Sequence, residues 1–125
     1  MKALLIDTSG SQSYLALSEN GLVIAQTMIS DSRQLSKFLL PSIAELLQGR
    51  TLDYISIGVG PGSFTGTRIG AAVAKTLAYA KGIPLVVFSS TFLPDLAKIA
   101  RFCFEKFQKT EFSSQIELVY FSPSP

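Results

Sequence analysis

"GVGPGSFTGTRIG", Gly58 to Gly70, decides how the rest of the chain is read. Five of its thirteen residues are glycine, and it separates the apolar run "DYISIGV" (Asp53–Val59) from a long run with helical spacing. A strand, a glycine turn and a helix in that order predict one β-α unit of a layered α/β domain. Downstream, the helix is predicted from about Phe64 to Lys81, ended by Gly82, with "PLVVFS" (Pro84–Ser89) as the next strand. A further helix is predicted over Phe92–Phe107, with Pro94 in its first turn. Upstream, "KALLID" (Lys2–Asp7) reads as a short buried strand ending in an acid. "SYLALSEN" alternates, and Asn20-Gly21 predicts a tight hairpin into "LVIAQTMI". A first helix is predicted from Asp31 or Ser32 to about Gln48, closed by Gly49, with Pro41 kinking or restarting it. The predicted order is βββαβαβα. Its fourth and fifth strands should run parallel to their neighbours through right-handed crossovers. "IELVYF" (Ile116–Phe121) reads as a sixth strand before a terminal tail.

Composition narrows the chemistry. The 125 residues have room for one domain, and 47% hydrophobic content suits a packed core. A net charge of +2, with the basic residues scattered, gives little pull on nucleic acid. The chain has no histidine, which removes the commonest general base and the commonest metal ligand together. The single cysteine, Cys103, falls in an apolar helical pattern and reads as a small buried hydrophobe. With no signal peptide, no disulfide pair and no membrane-length apolar run, a cytoplasmic location is expected.

The glycine stretch fails the standard phosphate and nucleophile motifs. Gly66 is followed by Thr67 and Arg68, so the lysine of a P-loop is absent. G-x-G-x-x-G breaks at Ser63 counted from Gly58, and at Thr65 counted from Gly60. G-x-S-x-G fails around Ser63, whose flanking positions are Pro61 and Thr65. Two uses remain open. Backbone N–H groups from Ser63 to Gly66, with Thr65, stand at a helix N-terminus and favour an anion. Alternatively the glycines permit positive φ and a close approach of helix to strand.

The two following helices carry an unusual amount of apolar surface. Leu35, Leu39, Ile43 and Leu46 form one stripe, Leu40, Ala44 and Leu47 a second, and Phe38 flanks them. In the second helix Ile69, Val73, Leu77 and Ala80 are expected to face the core. Gly70, Ala74 and Ala78 are expected to form an exposed small-residue ridge for a neighbouring helix. The predicted partner surface is therefore Leu35, Leu39, Ile43 and Leu47 with Gly70, Ala74 and Ala78.

"LLIDTSGSQSYLAL", "SRQLSKFLLPSIAELL" and "IGVGPGSFTGTRIGAAVAKTLAYAKGIPLVVFSS" together resemble the TsaB family, also called YeaZ. The long core Pro61–Gly70 carries most of the resemblance, which extends from Met1 to about Ala97. It implies an actin-like (ASKHA, ribonuclease H-like) lobe over residues 1–100, with a mixed five-stranded sheet. Residues 101–125 would be the end of the third helix and a divergent tail, without the second lobe of longer members. It also implies a non-catalytic role in making the tRNA modification threonylcarbamoyladenosine (t6A). The catalytic partner TsaD transfers a threonylcarbamoyl group from threonylcarbamoyl-adenylate to N6 of the adenosine beside the anticodon. Family members pair through their first two helices, with TsaD or as a homodimer when alone, and an ATPase, TsaE, joins them. The tRNA would be met only indirectly, and no cofactor is expected. Asp7 and Thr8 stand where actin-like folds place their first phosphate loop, or form only a strand-end turn. "DSRQLSKF" departs from the family in lacking a histidine. Two alternatives accompany the scaffold reading: a nucleotide-binding module using Asp7 and the Ser63–Gly66 backbone, and an inactive homodimeric fragment.

Overall fold

Five strands form one mixed sheet in the order β3-β2-β1-β4-β5. The computed structural model describes residues 1–109. Its elements are β1 (Lys2–Asp7), β2 (Ser13–Glu19), β3 (Leu22–Ile29), α1 (Leu35–Leu47), β4 (Tyr54–Gly58), α2 (Phe64–Lys81), β5 (Leu85–Phe88) and α3 (Leu96–Gln108). This is the order and the mixed five-stranded sheet expected from the sequence. The Ile116–Phe121 strand lies outside the described residues.

The antiparallel meander follows from its turn chemistry. Asn20 and Gly21 both take positive φ, +52° and +81°, the combination that a two-residue hairpin with native twist requires. β4 then lies parallel to β1, with Leu4 opposite Ile55, and β5 lies parallel to β4. The strands' period of two divides the core into two layers. Leu4, Ile6, Leu15, Leu17, Ile55 and Ile57 meet α1 and α2. Ala3, Leu5, Ala16, Tyr54, Val86 and Phe88 meet α3 on the other face. Cys103 is buried in that second layer, as expected, and burial pushes its thiol up to about 11. It is therefore a packing residue, not a nucleophile.

Helix ends are set by identifiable caps. The Asp31 side chain accepts from the Arg33 N–H and starts a 3₁₀ turn, Ser32–Gln34, that leads into α1. α1 continues through Pro41, with no restart there, because Leu35, Leu39, Ile43 and Leu47 anchor one face over its whole length. Gln48 and Gly49 close it with positive φ. Ser63 caps α2 by accepting from the Gly66 N–H, and Gly82 closes it in the left-handed region. α3 starts later than predicted. Pro94 holds Leu93 extended, a 3₁₀ turn occupies Ser90–Phe92, and Asp95 caps the helix by accepting from the Lys98 N–H. No helix among the described residues is long and apolar enough to cross a membrane.

Candidate functional site

At the C-terminal end of β1 the chain's polar groups meet one another. The Asp7 carboxylate is fully buried. One oxygen accepts from the Ser9 N–H at 2.9 Å and the Ser9 hydroxyl at 2.6 Å, and the other accepts from the Ser90 hydroxyl at 2.6 Å. Ser90 in turn accepts from the Gly60 N–H at 3.0 Å. On the other side of the turn, Thr8 donates to the Gly66 carbonyl at 2.6 Å, and the Ser63 N–H donates to the Ser9 carbonyl at 2.7 Å. The β1–β2 turn is therefore laced to the glycine loop from both faces.

The glycines are what allow this. A Cβ at Gly58 would fall inside the Asp7 carboxylate, and one at Gly70 would fall on the Thr8 hydroxyl. Gly60, at φ +97°, also holds a conformation that L side chains rarely adopt. Of the two uses left open for the glycine stretch, the geometry is that of close approach. The candidate anion residues Asp7, Thr8, Ser63 and Gly66 direct their polar groups at their own chain, and Thr65 stands exposed beside them. The Gly66 N–H that an anion would need is taken by the Ser63 side chain at 2.9 Å. Among the described residues, no three His, Cys, Asp or Glu side chains cluster as a metal site would.

The predicted partner surface needs correction. Leu35 and Leu39 are 1% exposed, and Ile43 and Leu47 are likewise buried beneath α1. Gly70, Ala74 and Ala78 face the sheet, not a neighbouring helix, and Ala74 is 0% exposed. The physical reason is separation: small side chains let α2 lie directly on β1 and β4, so the ridge is the inner face. Ile69, Val73 and Leu77, expected inside, are only half-buried, and Ala80 is exposed. What stays open is the seam between the two helices. Leu40 (56% exposed), Ala72, Val73, Thr76 and Leu77 line a shallow apolar groove of about 210 Å³. Phe38 and Ala44 on α1 and Tyr79 on α2 are also exposed. A sequence reading misses this groove because Leu40 and Leu77 sit in apolar stripes that look like core. The alanines and glycine at i, i+4 and i+8 were the signal for which side lies down. Ser90 was missed too, since nothing local marks a serine 83 residues from its acceptor.

A family model described as TsaD, tRNA N6-adenosine threonylcarbamoyltransferase, matches residues 23–93. The tRNA threonylcarbamoyladenosine biosynthesis protein TsaB of Bacillus subtilis is 37% identical over 95 residues, covering 72% of this chain and 42% of its own length. That of Haemophilus influenzae is 34% identical over 130 residues, covering 95% of this chain and 52% of its own. YeaZ from Pseudomonas aeruginosa, a solved structure, superposes with a TM-score of 0.64 at 32% identity, over 70% of this chain and 43% of that one. The chain belongs to the TsaB/YeaZ family. A Thermus thermophilus RuvC structure, at 12% identity and a TM-score of 0.50, covers 71% of this chain and 62% of that one, and shares the ribonuclease H-like fold alone. The fold class is thus the actin-like α/β arrangement expected. This TsaB/YeaZ chain spans about half the length of the curated relatives it matches.

Proposed function

We propose that this chain acts as a non-catalytic TsaB-type partner in t6A formation, docking a TsaD-type catalytic subunit through the α1–α2 groove. The observation that carries the reading is the contrast in burial. The polar groups at the glycine loop are spent within the chain, whereas Leu40, Ala72, Val73, Thr76 and Leu77 form an apolar seam left to solvent. An apolar seam between two helices that is left partly open to solvent is the kind of surface that a second protein covers. Catalysis then belongs to the partner, the tRNA is met through it, and a TsaE-type ATPase joins the same assembly in the cytoplasm. No cofactor, ATP included, is needed by this chain in that role.

The test is co-purification of the intact chain with a TsaD-type subunit, followed by scoring t6A in a reconstituted tRNA reaction. Retention and product with the native chain, and loss of both with Leu40→Asp, are the expected results. Retention unaffected by Leu40→Asp moves the docking face elsewhere. Absence of any retention favours the inactive-fragment reading. Heat on mixing the chain with ATP and magnesium, lost in Asp7→Ala, would instead favour the nucleotide-binding reading.

A further inference from the structure

The two edges of the sheet are finished differently. β5 is four residues long, and the Lys106 ammonium donates to its Val87 carbonyl at 2.9 Å. β3 is eight residues long, has β2 as its one neighbour, and contains no charge and no proline in "LVIAQTMI". Edge strands are normally blunted by such residues, because a row of unpaired N–H and C=O groups templates another strand. β3 is blunted at one point, an irregularity opposite Leu17–Ser18, which leaves Ala25–Ile29 as a regular ladder.

Topology decides which segment of the chain can reach that edge. β1, β4 and β5 are parallel, and β3, two antiparallel steps from β1, runs the same way. α1 connects β3 to β4 and α2 connects β4 to β5, both on one face of the sheet and both stepping toward β5. α3 follows β5 on the opposite face. A crossover of the same right hand through the opposite face must step the other way, so a parallel strand after α3 falls beside β3. α3 also stops at the matching end of the sheet. A Cβ at Gly21, in the β2–β3 hairpin, would stand 3.1 Å from the Phe104 ring, and Phe107 stacks on Tyr54, where β4 begins. From there residues 110–115 can span about 20 Å, roughly four strand spacings.

The surroundings of β3 suit an alternating strand. On the α3 side a groove of about 430 Å³ offers Tyr14, Met28, Pro94, Leu96 and Ala97. On the α1 side one of about 400 Å³ offers Ser42, Glu45, Gln48 and Arg50. Arg50 has no ion-pair partner among the described residues, and it falls between the end of α1 and the start of β4. That is the end of the sheet at which β3 also begins. In "IELVYF" Ile116, Leu118 and Tyr120 alternate with Glu117, Val119 and Phe121. We propose that residues 116–121 add to β3 as a sixth, parallel strand, with Ile116, Leu118 and Tyr120 toward the α3-side groove and Glu117 toward Arg50. The chain's own residues then close the open edge, independently of the TsaD-type docking proposed for the α1–α2 groove.

The test is hydrogen exchange in the intact chain, read at the β3 amides that do not pair with β2. The native chain is expected to protect them equally at every protein concentration. Leu118→Pro removes an N–H from the added strand and should speed their exchange at least about tenfold, with β1 and β4 amides still protected. Arg50→Glu should speed it about two- to fivefold, and adding Glu117→Arg should restore it. β3 amides that exchange alike in the native chain and in Leu118→Pro overturn the proposal. So does protection that appears only as concentration rises, which gives the edge to a second molecule. Loss of protection at β5 in place of β3 overturns it in favour of the other edge. Should Leu118→Pro unfold the core, the reversal of Arg50 and Glu117 decides alone, and no effect of Arg50→Glu then overturns it.

Discussion

The inner and outer sides of α2 are built from residues of different size and have opposite fates. Inside, Gly66, Thr67, Gly70, Ala74 and Ala78 are buried against β1 and β4, so tightly that a Cβ at Gly70 would meet Thr8. Outside, Val73 and Leu77 are half-buried and Ala72 and Thr76 exposed, open toward Leu40 across the seam. The small residues mark contact already made within the chain, and the larger ones mark contact still available. Side-chain size on this helix therefore reports distance to the sheet, not readiness for a partner.

The sharpest way to break this comparison is Ala74→Arg. A guanidinium at a 0% exposed position has no room and no counter-charge, so the chain should fail to accumulate as a folded species, judged by circular dichroism and soluble yield. A folded Ala74→Arg protein would mean that the inner face can lift from the sheet. Next in size is Asp7→Ala, which strands the Ser9 and Ser90 donors and should cost about 3 kcal/mol in urea denaturation. Asp7→Asn keeps one acceptor oxygen for the Ser9 N–H and hydroxyl, and its NH2 can donate to the Ser90 hydroxyl, so it should cost less. Removing the α2 cap with Ser63→Ala should cost about 1 kcal/mol, read from the same denaturation curves. Smallest is Leu77→Asp on the outer face, expected to shift stability by no more than about 1 kcal/mol while abolishing capture of a TsaD-type partner. A large loss of stability in Leu77→Asp would put that side chain with the core and erase the distinction.

Much of the fold was legible because its signals are local. Asn20-Gly21 dictates a hairpin, Gly49 and Gly82 end helices, and α2 runs over the predicted Phe64–Lys81. The start of α3 was less legible, since Pro94 fits either the first turn of a helix or the extended residue pair before one. Asp95 decided for the second. The candidate site was legible as a place and not as an arrangement. Gly58–Gly70 stood out, but what the glycines accommodate, the Asp7–Thr8–Ser9 turn, is about 50 residues away in the chain.

Periodicity and turn chemistry, which depend on a residue and its near neighbours, determined this protein's element order, and the Pro61–Gly70 motif carried its resemblance to a family. Which stripe of a helix lies on the sheet was decided only by tertiary structure. On α1 and α2 more than one stripe is apolar, and hydrophobicity alone cannot rank them. Steric separation ranks them: the helix turns toward the sheet the side on which backbone can approach backbone, and leaves Leu40 and Leu77 at the surface.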